Sequence, residues 1–131
     1  MITFFIPGEP VAKGRPRAFK MRNGGIGTYT PDKTTEYEAK VRYYAAQTKP
    51  EKLLDGPLAV IMQFSMTRPK STPKGRMYPT VKPDLDNLEK AVMDAMNGLI
   101  YTDDSRVVLK RSSKEYALNG DAGVRVTVEE I

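Results

Sequence analysis

Two chemically important residue types, cysteine and histidine, are absent from the 131-residue sequence. Without cysteine the chain can form neither disulfides nor thiolate metal sites. Without histidine it has no imidazole to act as a general base, as the partner of a nucleophile or as a metal ligand. Any catalysis must therefore rest on carboxylates, lysine, tyrosine, hydroxyls or a metal held by oxygen. Oxygen-only sites suit Mg²⁺, Mn²⁺ or Ca²⁺.

Long apolar runs are also missing. No stretch approaches the roughly 20 apolar residues that a membrane-spanning helix needs. The first residues, MITFFI, run directly into Pro7 without the basic region that opens a signal peptide. We therefore expect a cytoplasmic protein with no membrane partner. The length fits one domain over residues 1–131, with a core small enough that a partner subunit would help to stabilise it.

The charges that are present are segregated along the chain. The net charge is +5, yet residues 82–104 contain six acids and two bases. The first basic segment, residues 13–22 (KGRPRAFKMR), and the second basic segment, residues 66–82 (MTRPKSTPKGRMYPTVK), contain no acid. Each run alone is typical of solvated surface. Together, two basic segments and one acidic cluster favour a polyanionic partner whose phosphates meet a bound divalent cation.

Hydrophobic periodicity and turn residues predict the order β-α-β-α-β-β. The elements are a strand at 2–6, a long basic loop at 7–31, a helix from Pro31-Asp32 to about Thr48, a strand at 57–66, a second helix from about Asp84–Asp86 to Asn97-Gly98, a strand beginning at Val107, and a last strand after Asn119-Gly120-Asp121. This order predicts an α+β domain with two helices and a mixed sheet, in which each helix connects two strands of one sheet.

The acidic second helix has two interpretations. In the structural one, Asp84 caps the helix, Asp86 pairs with Lys90 one turn later, and Asp94 is solvated; such a pair contributes only about 0.3–0.5 kcal/mol. In the functional one, the aspartates at the helix start converge with those before the next strand to hold Mg²⁺, because clustered carboxylates repel without a cation. Such an ion would activate a water for attack on a phosphodiester, and Lys90 would contact the phosphate.

A family resemblance favours the functional interpretation. The segment DLDNLEK, residues 84–90, is followed by Asp94-Ala95 and by TDDSRVV at residues 102–108. These motifs, with the opening IPGEPVAKGRPR, resemble the RusA family of Holliday junction resolvases, in particular phage-type members. The resemblance implies a Mg²⁺-dependent endodeoxyribonuclease, with Mn²⁺ as a substitute, that acts on four-way DNA junctions in recombination and repair. It also implies a homodimer whose two sites lie on one basic face and make paired nicks in strands of like polarity.

The same resemblance assigns roles to individual residues. It implies metal-binding acids at Asp84, Asp86 and Asp104, with Asp103 as the alternative to its neighbour. It implies an essential lysine at Lys90. Family members carry a basic residue directly before the first aspartate. Here that position is Pro83, and Lys82 one position earlier is assigned the phosphate contact.

The remaining expectations concern DNA. The basic residues expected to contact it are Lys13, Arg15, Arg17, Arg76 and Lys82. Two other functions remain open on the residues alone. One is a non-catalytic DNA-binding module whose acids are structural, and the other is a nuclease with a broader range of branched substrates, such as flaps or replication forks.

Overall fold

The computed structural model describes residues 1–15, 17–29 and 31–131. The strands are β1 (Ile2–Pro7), β2 (Arg17–Lys20), β3 (Ile26–Tyr29), β4 (Leu58–Met66), β5 (Val107–Tyr116) and β6 (Gly123–Glu130), and the α-helices are α1 (Asp32–Ala46) and α2 (Leu85–Met96). Short 3₁₀ turns occupy Asp104–Arg106 and Leu118–Gly120.

Four strands form one mixed sheet in the order β1-β6-β4-β5. β4 and β5 are parallel and are joined through α2, which is the predicted crossover. β6 is antiparallel to both β1 and β4. α1 likewise connects two strands of this sheet, although β6 lies between them. The mixed sheet and its two helices confirm the predicted α+β class.

The core forms where alternate residues of the sheet meet the two helices. On β4 the even-numbered side chains from Leu58 to Met66 are buried, and β6 contributes Val124, Val126 and Val128. The helices contribute the buried residues Tyr37, Val41, Ala45, Leu88, Val92 and Met96 to the same cluster. Burial of this apolar stripe fixes the rotation of α2 and therefore the direction of its polar face.

The predicted loop at residues 7–31 is wrong over two short stretches, because β2 and β3 pair as an antiparallel hairpin. Asn23-Gly24-Gly25 turns the chain: the Asn23 carboxamide oxygen accepts a hydrogen bond from the Gly25 N–H at 2.9 Å, and Gly24 has φ +86°. The strands have four residues each and their side chains are almost all exposed, so they carry no apolar alternation. Pro16 and Thr30, also in the predicted loop, lie outside the described residues.

The other predicted boundaries are close to the observed ones. Gly98 follows α2 with φ +73°, as the Asn97-Gly98 stop signal predicts. The second basic segment contains no strand or helix between the end of β4 and the start of α2. Among the described residues, no helix combines the length and apolar character that crossing a membrane requires.

Candidate functional site

The acidic motif begins at the N-terminus of α2. Asp84 is the N-cap residue, with extended backbone angles, but its carboxylate makes no capping hydrogen bond. Asp86, in the first turn, accepts a hydrogen bond from the Asn87 backbone N–H at 2.9 Å. The segment that leads into the helix is hydrogen-bonded to β5. Lys114 Nζ donates to the carbonyl oxygens of Val81 at 2.9 Å and Pro83 at 3.0 Å.

A cleft of about 290 Å³ lies between α2 and the residues that lead into β5. It is lined by Asp86, Asn87, Glu89, Lys90, Met93, Asp94, Asp104 and Lys110. Three of the predicted site residues therefore line one cleft: Asp86 and Lys90 from α2, and Asp104 from the turn before β5. Asp84 is exposed at the start of α2 and is not among the residues lining this cleft.

The two neighbouring aspartates before β5 have different surroundings. Asp103 caps the 3₁₀ turn, and its carboxylate accepts the Ser105 backbone N–H at 3.0 Å. Hydrogen bonds from Ser105 hold the pKa of Asp103 below its ordinary value, with the side chain of Ser105 making the larger contribution and its backbone N–H the next. Asp104 makes no such bond in the described structure and lines the cleft. The structure thus separates a turn-stabilising aspartate from one that faces the candidate site.

Lys90 pairs with a different partner from the one that the structural interpretation requires. The ion pairs of the described residues do not include Asp86–Lys90; instead, Lys90 Nζ lies 3.4 Å from Asp94 Oδ2. Lys13 Nζ lies 3.3 Å from the same oxygen and also pairs with Glu38. Of the three parts of that interpretation, the Asp86–Lys90 pair is wrong for the described residues, and Asp84 occupies the N-cap position without a side-chain bond. The expectation of a solvated Asp94 is also wrong, because its side chain is 21% exposed and lies between two lysine ammoniums.

Lys13 makes more contacts within the protein than an exposed residue of a basic segment would. Its side chain is 19% exposed, and its backbone N–H donates to the Asn87 carbonyl at 2.9 Å. Partial burial disfavours the ammonium, but the hydrogen bonds to Glu38 and Asp94 outweigh that effect and raise the pKa of Lys13 above its ordinary value. Lys13 therefore joins the first basic segment to the face of α2 that borders the cleft.

Sequence reasoning missed Glu89, which is one of two buried polar or charged residues among the described residues. Its carboxylate pairs with Lys110 Nζ at 3.2 Å and accepts a short hydrogen bond from the Ser112 hydroxyl. A buried carboxylate needs such partners, because an unpaired charge in the interior is strongly unfavourable. The sequence carries no signal for this contact, since every residue of β5 from Lys110 to Glu115 is polar. The register does: Lys110 pairs beside the buried Val60 and Ser112 beside the buried Met62, so both lie on the core face of the sheet.

The donor set of the cleft fits a hard divalent cation. Asp86 and Asp104 supply carboxylate oxygens from two elements, and the lining contains neither nitrogen nor sulfur ligands of the imidazole or thiolate kind. Over residues 1–15, 17–29 and 31–131, no three carboxylates lie close enough together to form a metal site as they stand. The structure therefore brings two of the three predicted ligands into the cleft and leaves Asp84 beside it.

Most of the predicted DNA-binding side chains point to solvent. Arg15, Arg17, Arg76 and Lys82 are exposed, whereas Lys13 is paired as described above. The second basic segment is shaped by Arg68, whose guanidinium donates to the carbonyl oxygens of Lys74 at 2.7 Å and Arg76 at 2.8 Å. These bonds fold the segment back on itself, so its bases are presented from a defined loop.

Comparison with known proteins agrees with the motif and the fold. A protein-family model described as endodeoxyribonuclease RusA matches residues 7–129, which is nearly the whole chain. The chain is also 39% identical over 140 residues to the uncharacterized protein YqaN of Bacillus subtilis (strain 168), an alignment that covers 99% of this chain and 96% of that protein. The match includes both basic segments, the aspartate motif on α2 and the pair before β5. The chain therefore belongs to the RusA family of endodeoxyribonucleases.

Proposed function

We propose that this protein is a Mg²⁺-dependent endonuclease that resolves Holliday junctions by paired cuts, acting as a homodimer in DNA recombination and repair. One observation supports this proposal above the others. In a chain of an endodeoxyribonuclease family, Asp86, Lys90 and Asp104 come from α2 and from the turn before β5 and line the same cleft. The structural interpretation of these acids requires contacts that the described residues do not form.

Asp86 and Asp104 are the proposed metal ligands within the cleft, and Asp84 is the third. Asp84 lies two residues before Asp86, and its carboxylate has no capping bond to break before it turns toward a cation. Bound Mg²⁺ would supply a Lewis acid for the phosphoryl oxygens and would lower the pKa of an attacking water.

Lys90 is the proposed contact to the scissile phosphate. Its side chain is 60% exposed, and its pairing distance to Asp94 is 3.4 Å, so the ammonium stays at the rim of the cleft. A positive charge there favours the additional negative charge that develops on the phosphoryl oxygens during cleavage. The protein itself therefore contributes a fixed cation as well as the metal ligands.

The exposed bases Arg15, Arg17, Arg76 and Lys82 are the proposed phosphate contacts outside the cleft. Lys13 is a weaker member of that set, because a phosphate would compete with Asp94 and Glu38 for its ammonium. A homodimer is proposed because a four-way junction is two-fold symmetric and symmetric cutting needs two equivalent sites.

The experiment compares cleavage of a labelled synthetic four-way junction, a replication fork and plain duplex, with and without Mg²⁺. The variants are Asp86→Asn and a matched control, Asp121→Asn. Asp121 is exposed in the turn before β6 and is not among the residues that line the cleft. We expect symmetric junction nicks that require Mg²⁺ and Asp86, unchanged cleavage by Asp121→Asn, and equal or tighter junction binding by Asp86→Asn because one negative charge is removed.

Unchanged cleavage by Asp86→Asn would contradict the proposed site. Salt-sensitive binding without nicks in Mg²⁺ or Mn²⁺ would support the non-catalytic binding module instead. Equal cleavage of junction and fork would support the nuclease of broader range.

A further inference from the structure

The β2–β3 hairpin contributes no residue to the hydrophobic core of the described chain. Every side chain of β2 is exposed, and on β3 only Gly27 is partly covered. The exposed fractions are 47% for Phe19, 47% for Tyr29 and 77% for Ile26. A two-stranded hairpin with no apolar face against the core gains little stability from these side chains. Their exposure therefore needs an explanation other than packing.

The aromatic residues share one face of the hairpin. Arg17 pairs with Tyr29 and Phe19 pairs with Gly27, so these four residues lie on one side. The rings of Phe19 and Tyr29 are 6.1 Å apart between centroids and tilted by 50°. Phe19 lies against Gly27, where an added Cβ would come within 2.5 Å of the ring. A glycine opposite the phenylalanine thus lets the ring lie across the strand, and the result is a partly exposed aromatic platform beside a guanidinium.

The charge of the segment indicates the chemical class of its partner. Residues 10–31 contain five bases and no acid; the bases are Lys13, Arg15, Arg17, Lys20 and Arg22. A basic surface alone fits any polyanion. Exposed aromatic rings interleaved with bases fit a polyanion that also offers planar rings, because nucleobases stack on aromatic side chains while phosphates contact the bases.

The position of the hairpin relates it to the cleft. Lys13, which precedes the hairpin in the chain, is bound to α2: its backbone N–H donates to the Asn87 carbonyl and its ammonium pairs with Asp94. Phe19 is six residues beyond Lys13, so even a fully extended chain places the two within about 20 Å. That span is shorter than one turn of duplex DNA, which is about 34 Å. One DNA molecule can therefore contact the cleft and the aromatic platform at the same time.

We propose that the aromatic platform, Phe19 with Tyr29, stacks on unpaired or unstacked nucleobases at the branch point of the DNA whose backbone enters the cleft. This inference rests on the proposed function and adds a means of selecting the substrate. Bases inside a duplex are stacked on both sides and are not accessible, whereas those at a branch can be displaced at lower cost. The platform thus distinguishes a branch from a continuous duplex, which the phosphate contacts alone do not.

The test uses a four-way junction with 2-aminopurine at the crossover and a fluorescent end label, in buffer with EDTA so that binding is measured without cleavage. The main variant is Phe19→Leu with Tyr29→Leu, which keeps apolar bulk but removes both aromatic faces. Phe19→Trp tests for rescue by another aromatic ring. Ile26→Ala is the matched control, since Ile26 is exposed on the other face of the hairpin.

We expect the double Leu variant to bind the junction about tenfold more weakly, as the loss of one or two base stacks requires. We also expect it to lose the 2-aminopurine signal and to keep the salt dependence of the wild type, because the phosphate contacts remain. Phe19→Trp and Ile26→Ala are expected to bind within about twofold of the wild type.

Two outcomes overturn the inference while leaving the proposed function intact. One is a double Leu variant that binds the junction and perturbs 2-aminopurine like the wild type. The other is loss of binding accompanied by a change in sedimentation mass, which would make the platform a contact between two copies of the chain. A wild type that binds the junction no better than duplex contradicts the proposed function itself, and the inference with it.

Discussion

In the cleft beside α2, Glu89 and Asp94 are partly or largely shielded from solvent; Glu89 pairs with one lysine and Asp94 with two. In the β2–β3 hairpin, by contrast, Arg17 and Lys20 are exposed and form no ion pair within the described residues. Paired, partly buried charges are held in one geometry, which suits the positioning of reacting groups. Exposed charges keep their hydration and act over a Debye length, which suits salt-dependent attraction of DNA. The charged residues of this chain therefore divide into a positioning set, paired beside the cleft, and an attracting set, exposed on the basic segments.

The largest expected effect separates the two aspartates before β5. Asp104→Asn removes a proposed metal ligand from the cleft, so junction cleavage should fall by roughly 10²–10³-fold or more. Asp103→Asn keeps an acceptor for the cap of the 3₁₀ turn and should retain most of the activity. Single-turnover cleavage in Mg²⁺ measures both variants, and the reverse order of effects would assign the ligand role to Asp103.

A smaller loss is expected when the support beneath the cleft is altered. Glu89→Gln preserves the size of the side chain and its bond with Ser112 but removes the ion pair with Lys110. We expect cleavage to fall by up to about tenfold, because Glu89 holds Lys110 at the lining of the cleft although its partners do not include the proposed metal ligands. The matched control is Glu115→Gln, which lies on the opposite face of β5. Equal effects of the two variants would remove the positioning role of Glu89.

The attracting set is tested by charge reversal. Arg15→Glu with Arg17→Glu should weaken junction binding about tenfold or more and reduce the slope of log affinity against log salt by about 1.8, because two phosphate contacts are lost. Cleavage at saturating protein should be nearly unchanged. Lys49→Glu with Lys52→Glu makes the same charge change outside both basic segments. If both double variants bind alike, only the total charge matters and the division into two sets is contradicted.

The smallest expected effect concerns the residue that joins the two regions. Lys13→Met leaves Glu38 and Asp94 without their shared ammonium, so the free energy of unfolding should fall by about 1–3 kcal/mol at neutral pH. Because the pKa of Lys13 is raised in the folded protein, this stabilisation is complete below its ordinary value of 10.5 and is lost as the pH rises through the folded pKa. Urea unfolding at pH 7, 9 and 11 checks this, and a difference that persists unchanged at pH 11 would contradict the role of the ammonium.

The sequence was sufficient to predict most elements because their signals are local. The apolar stripe of α2 and the alternation on β4 each report burial against a neighbouring layer, and Asn97-Gly98 reports the positive φ that ends the helix; the structure agrees with all three. The aspartate motif on α2 likewise pointed to the region that contains the cleft. Asp86 and Asp104 were expected to converge on one point; they line one cleft beside the parallel strands β4 and β5, but no group of three carboxylates forms a metal site among the described residues.

What the sequence did not reveal depends on contacts between distant segments. Glu89 looks like a surface residue of a helix until β5 places Lys110 and Ser112 against it. Lys13 looks like a member of a basic loop until its ammonium is seen on Asp94, a residue 81 positions later in the chain. The hairpin was missed because its strands are short and nearly all their side chains are exposed, so no hydrophobic pattern marks them.

The central claim, that the cleft carboxylates hold a divalent cation, is tested most directly by titrating the protein with Mn²⁺ and following the bound ion by electron paramagnetic resonance, in the absence of DNA. Wild type and Asp103→Asn should bind Mn²⁺ alike, whereas Asp86→Asn and Asp104→Asn should bind it at least tenfold more weakly. Equal Mn²⁺ affinity in all four proteins would contradict the claim.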